Sequence, residues 1–192
     1  EHDYINKKIL PNIPLLEKIA NLGKPVFLSS GMSNWEELDK AVSVFRKKCK
    51  LTIMQCSSMY PCPPEKVGLN ILSEIRERYQ CDIGFSDHTE GIAAPIAAAA
   101  LGASVIEKHF TFSKQMYGSD AKHSMEPNEF KKMTKALNET WKIMKSKVDK
   151  NNLNDFLEMK DIFEKSIVAK HKLTSGTILK ASDLAFKKPG TG

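Results

Sequence analysis

Residues 82–109 read DIGFSDHTEGIAAPIAAAALGASVIEKH, and this stretch decides the fold. It opens on a short apolar run, Asp82 to Phe85, and closes on another, Ser104 to His109. Between them, Gly91 to Leu101 is an alanine-rich segment of helical composition. A strand, a crossover helix and a second strand within roughly 30 residues make a βαβ unit, whose strands run parallel.

The same alternation extends outward. Val26 to Ser29 and Leu51 to Cys56 read as two further buried strands. Ile13 to Leu22, Ser33 to Lys47, Leu69 to Tyr79 and Glu126 to Ser146 read as helices. The last carries Phe130, Met133, Leu137, Trp141 and Met144 at helical spacing. Ser33 with Glu36 is expected to form a capping box at the start of its helix. Four strand–helix units predict an α/β fold with a parallel sheet. They amount to half of a (β/α)8 barrel, which takes roughly 250 residues when whole. An open four-strand sheet fits the pattern equally.

Beyond Ser146 the pattern changes. Residues 1–146 read as a partial barrel domain and 147–165 as a linker with a short helix over Phe156 to Glu164. From Ser166, short apolar runs at Ile167–Ala169 and Leu184–Phe186 suggest the opening of a small β-rich domain. That domain stops at Gly192, too early to build a core of its own.

The 192 residues carry a formal net charge of +6, with lysines interleaved with acids as on a solvated helical face. No motif or aromatic–basic alternation points to nucleic acid, and an anionic small substrate suits the charge. The longest uncharged run, Gly91 to Ile106, is too short to span a membrane. No charged-then-apolar leader is present, and Glu1 in place of Met suggests a chain that begins inside a longer one. Cys49, Cys56, Cys62 and Cys81 form no CxxC pair, so reduced thiols in the cytoplasm are expected.

In parallel α/β folds, chemistry sits at the carboxyl ends of the strands. Here each strand runs into hydroxyls or ionisable groups: Ser29-Ser30, Ser57-Ser58-Met59-Tyr60, Ser86-Asp87-His88-Thr89 and Glu107-Lys108-His109. His88 and His109 end consecutive strands, which lie about 5 Å apart. They can share one divalent cation, or each can be hydrogen-bonded separately. Ser29, Ser58 and Ser86 can hold a phosphate with helix N-terminal amides, or simply cap helices. Tyr60-Pro61 can position a substrate hydroxyl or be a turn, and Asp120 can overhang the strand ends or belong to a plain loop.

Taken together, these segments resemble the sialic acid synthase family, which includes the legionaminic and pseudaminic acid synthases. The matching blocks are Gly23 to Val26 through Ser29 to Met32, then Gln55 to Pro61, then Gly84 to Thr89. Leu101 to Ala103 through Ile106 to Thr111 follow, then Gly118 to Asp120 with Ser124 to Pro127, and finally Lys187 to Gly192. The order holds from about Ile13 to the last residue, and the blocks around His88 and His109 are highly specific in combination.

The resemblance implies strands five to eight of a (β/α)8 barrel, followed by the beginning of an antifreeze-like domain. It implies condensation of phosphoenolpyruvate with N-acetylmannosamine or a related N-acetylated hexose. The product is a nine-carbon 2-keto sugar acid, and phosphate leaves by C–O cleavage. It assigns His88 and His109 to a catalytic divalent metal, most commonly manganese, with magnesium or cobalt as alternatives. Ser29 and Ser86 match phosphate-binding hydroxyls, and Tyr60 and Asp120 match contacts to the amino sugar. Glu107 matches an acidic position beside the second metal histidine. The family is a homodimer whose small domain covers the partner's barrel mouth.

Several positions depart from the pattern. The family's first four strands precede the matched region and are absent. Tyr4-Ile5-Asn6-Lys7 lacks the expected Lys-Ile-x-Ser spacing, and Ser58 stands where Asn is frequent. Lys188 replaces an arginine that reaches the sugar across the dimer, and an ammonium cannot offer a bidentate fork. A half barrel exposes two strand edges, so this sequence is expected to need a second half. The competing readings are a non-catalytic remnant that keeps the metal site and binds a partner, an unrelated open α/β metal protein, and a related enzyme making shorter keto-deoxy sugar acids.

Overall fold

A computed structural model describes residues 12–189. The Tyr4 to Lys7 departure and the terminal Gly190 to Gly192 match lie outside the described residues. The chain divides into two compact units, Glu1–Ser146 and Lys147–Gly192.

The first unit alternates helix and strand: α1 (Ile13–Asn21), β1 (Val26–Ser29), α2 (Trp35–Phe45), β2 (Leu51–Cys56), α3 (Ile71–Tyr79), β3 (Asp82–Asp87), α4 (Ala93–Ala100), β4 (Val105–Lys108) and α5 (Pro127–Lys145). The four strands form one sheet in the order β1-β2-β3-β4, all parallel. Sequential parallel neighbours joined by helices are the outcome that repeated βαβ units dictate.

One face of the sheet packs against helices. Leu28, Ile53, Ile83 and Phe85 meet Leu16, Leu38, Phe45, Leu72 and Ile75 in a continuous apolar core. Their removal from water is the main favourable term holding the sheet. A second cluster joins α4 to α5 through Ala99, Met125, Met133 and Leu137. The small alanines of α4 admit this close packing, and Trp141 Nε1 donates to the Ala103 carbonyl at 2.8 Å. Met144 is exposed, because the apolar stripe of α5 outruns its partner by a turn.

Register sets which side chains share the other face. Met54 pairs with Gly84, Gly84 with Val105, Cys56 with Ser86 and Ser86 with Glu107. Strand side chains alternate between faces, so these rows point away from the helix core. Gly84 is needed there: a Cβ would lie 2.2 Å from Met54 Sδ and 3.0 Å from the Val105 carbonyl oxygen. Gly84→Ala is expected to cost about 1–3 kcal/mol through overpacking, measured by urea denaturation of the full-length protein; an unchanged midpoint would show that β3 yields freely.

The cap of α2 differs from the sequence expectation by one residue. Asn34 Oδ1 accepts from Glu37 N at 2.9 Å, and Glu37 Oε2 accepts from Asn34 N at 3.0 Å. Ser33 Oγ instead donates to the Gly31 carbonyl at 3.4 Å. Asn caps as well as Ser does, and the turn after β1 places Asn34 at the helix mouth.

The second unit contains α6 (Leu157–Phe163) and an antiparallel pair, β5 (Ser166–Ala169) with β6 (Leu184–Lys187). Among the described residues, no helix is long and apolar enough to cross a membrane.

Candidate functional site

Beyond the rows of Cys56, Ser86 and Glu107, the strands end and the next residues gather their rings. His88 follows β3 and His109 follows β4, and their ring centroids are 5.3 Å apart. Tyr60, from the segment after β2, lies 4.1 Å from the His88 ring and 5.7 Å from that of His109. Three consecutive strand ends thus deliver one aromatic cluster.

Both imidazoles are oriented from behind. The Ser57 carbonyl lies 3.1 Å from His88 Nδ1. A carbonyl only accepts, so Nδ1 carries the proton, and in the neutral form of the ring the lone pair is on Nε2. His109 Nδ1 faces Asp120 Oδ2 at 3.8 Å, an electrostatic pairing beyond hydrogen-bond length. Ser119 Oγ donates to the other Asp120 oxygen at 3.0 Å. Carbonyl or carboxylate partners on one ring nitrogen are the usual support for a metal-binding imidazole.

The Cys56 thiol lies 3.8 Å from His88 Nδ1 and 3.8 Å from Ser58 Oγ. Burial pushes this thiol up, but hydrogen bonds from His88, Ser58 and Ser29 outweigh burial and hold it below the ordinary thiol range. Burial conversely pulls His88 down, while Cys56 and the Ser57 carbonyl outweigh it and leave the imidazole above its ordinary value.

The predicted hydroxyls take distinct places. Ser86 is buried and donates to Glu107 Oε1 at 2.8 Å, so these two form one unit on adjacent strands. Ser29 Oγ accepts from Gly31 N at 3.3 Å. Gly31 lets the β1 turn approach the β2 tip, because a Cβ there would come within 2.6 Å of Ser58 Oγ. Lys188 belongs to the second unit, where its ammonium lies 4.6 Å over the Phe163 ring.

The side chains fit a divalent cation in part. Two imidazoles, that of His88 held by the Ser57 carbonyl and that of His109 facing Asp120, are suitable donors for a transition ion. Among the described residues, no group of three or more His, Cys, Asp or Glu side chains is arranged to hold a metal. The remaining ligands of such an ion would therefore be water or substrate oxygens. The sequence reading missed the Cys56–His88 contact and the carbonyl behind His88. Both join atoms more than thirty residues apart or use backbone oxygen, which no motif spells out.

The NeuB family model matches residues 5–149. An N,N'-diacetyllegionaminic acid synthase of Campylobacter jejuni is 38% identical over 193 residues, covering 95% of this chain and 56% of the relative. The human N-acetylneuraminate-9-phosphate synthase is 35% identical, covering 92% of this chain and 49% of the relative. The crystal structure of a sialic acid synthetase from Leptospira borgpetersenii, in complex with citrate, superposes with a TM-score of 0.71 at 34% identity, over 79% of this chain and 53% of that one. The chain spans about half the length of the curated relatives it matches. With the family model covering most of its length, the chain belongs to the NeuB family, that of the sialic acid synthases.

Proposed function

We propose that this sequence is the C-terminal half of a (β/α)8 synthase barrel with the start of an antifreeze-like domain. In the full-length protein it condenses phosphoenolpyruvate with an N-acetylated hexose, of which N-acetylmannosamine is the reference case. The observation that carries the reading is the convergence of His88, His109 and Tyr60 at the ends of adjacent parallel strands. The family membership and the sequential parallel sheet support it.

On this reading His88 and His109 hold a divalent ion, manganese before magnesium or cobalt. When bound, such an ion supplies Lewis acidity toward an aldehyde oxygen. Tyr60, stacked on His88, shapes the floor against which the sugar lies, and Asp120 both steers His109 and contacts the sugar. Ser29 and Ser86 receive the phosphate. Glu107 accepts a hydrogen bond from Ser86 and so orients that hydroxyl.

The overall change joins carbon 3 of phosphoenolpyruvate to the aldehyde carbon. Water adds at carbon 2, and the carbon–oxygen bond to phosphate breaks, giving the 2-keto acid and inorganic phosphate. Homodimerisation and a cytoplasmic setting are part of the proposal.

The test is an assay of the full-length protein with phosphoenolpyruvate, manganese and a panel of N-acetylated hexoses. Stoichiometric phosphate and 2-keto acid with at least one sugar are expected. Manganese uptake with no product from any sugar would instead support the non-catalytic reading.

A further inference from the structure

Behind the ring cluster, on the helix side of the sheet, two opposite charges are buried together. Lys108 Nζ lies 2.5 Å from Asp87 Oδ2, with side-chain exposures of 2% and 0%. The residues are register partners on β3 and β4, and each immediately precedes one of the two histidines. Asp87 Oδ1 also accepts from Thr89 N at 2.9 Å, and the Lys108 ammonium donates to the Thr89 carbonyl.

We propose that Asp87 and Lys108 are positioning residues whose buried ion pair fixes the backbone from which His88 and His109 project. The proposal rests on the reading that these two histidines act as one site.

Three observations carry it. First, the two charged side chains grip Thr89 at both its N–H and its carbonyl, so the turn carrying His88 is held from the side opposite its ring. Second, the remaining backbone links complete the clamp: the His88 carbonyl accepts from Cys62 N at 2.8 Å, and the His109 carbonyl accepts from Met125 N at 2.9 Å. Third, the pair sits where apolar residues would be expected, since Ile83 and Phe85 precede Asp87 on the same face. Charges withdrawn from water to this extent are seldom more stabilising than a well-packed apolar pair. Stability alone therefore does not account for them here. A geometric task does: the bridge joins β3 to β4 at the register pair immediately before the two histidines, and its directed bonds fix orientation as apolar contacts do not.

The test uses the full-length protein and two readouts, one of them independent of metal. In the metal-free parent, long-range 1H–15N spectra of the imidazoles should show His88 as the Nδ1–H tautomer. In the folded double variant Asp87→Asn/Lys108→Met, which keeps both histidines, a mixture of tautomers is expected. Manganese affinity, followed by loss of the free-ion electron paramagnetic resonance signal, should fall at least tenfold. A parent-like spectrum with parent-like affinity in that variant overturns the proposal.

Should the double variant not fold, Asp87→Glu carries the test. It retains both charges but displaces the carboxylate from Thr89 N, and the same two changes are expected; parent behaviour in it overturns the proposal too. If the parent takes up no manganese while the tautomer responds as stated, the metal reading falls and the positioning role stands.

Discussion

His109→Ala in the full-length protein should lower the rate of phosphate release from phosphoenolpyruvate and sugar by about 10³-fold or more. Lewis-acid stabilisation of developing charge is worth several kcal/mol, and each 1.36 kcal/mol is a factor of ten. The side chain is 29% exposed and its ring lies in the cluster with His88 and Tyr60, so the variant should unfold within a few degrees of the parent. His88→Ala should lose activity similarly, because on the proposed reading the two imidazoles hold the ion together. Tyr60→Phe retains the ring against both histidines and should fall much less. Activity in His109→Ala within tenfold of the parent would remove His109 from the chemistry.

Lys108→Met should cost about 3–5 kcal/mol of stability. It leaves the Asp87 carboxylate enclosed with, among the described residues, the Thr89 N–H as its remaining hydrogen-bond donor. The Asp87→Asn/Lys108→Met double variant should recover most of that loss, since no net charge then stays buried. Equilibrium denaturation of the three proteins gives the coupling directly. If the single variant matched the parent, the pair would be better hydrated than its exposure implies.

The sheet was legible because strand and helix periods alternate in a way that only a parallel arrangement accommodates. Strand ends shifted by a residue or two. β3 runs on through Ser86 and Asp87, whose polar side chains hide a strand that hydrogen bonding to β4 maintains. The cap of α2 moved from Ser33 to Asn34 because two adjacent residues were competent and only the turn geometry chooses between them.

In the site, the nearness of His88 and His109 followed from their places at neighbouring strand ends. The pairing of Ser86 with Glu107 could have been read from the same register, since both stand two residues before a histidine. The Asp87–Lys108 bridge follows that rule on the opposite face, but strand alternation makes it visible only once the register is known. The Ser57 carbonyl and the Cys56 thiol behind His88 were not legible. They depend on how the segment after β2 folds back, and sequence spacing carries no record of that path.

The central claim is that His88 and His109 bind one divalent ion together. Pulsed electron paramagnetic resonance of the manganese-loaded full-length protein tests this most directly, because imidazole nitrogens couple to the electron spin of a directly bound ion. Couplings from two histidine nitrogens are predicted, with one lost in His109→Ala and the other in His88→Ala. A spectrum with no nitrogen coupling, or one indifferent to both substitutions, would contradict the account.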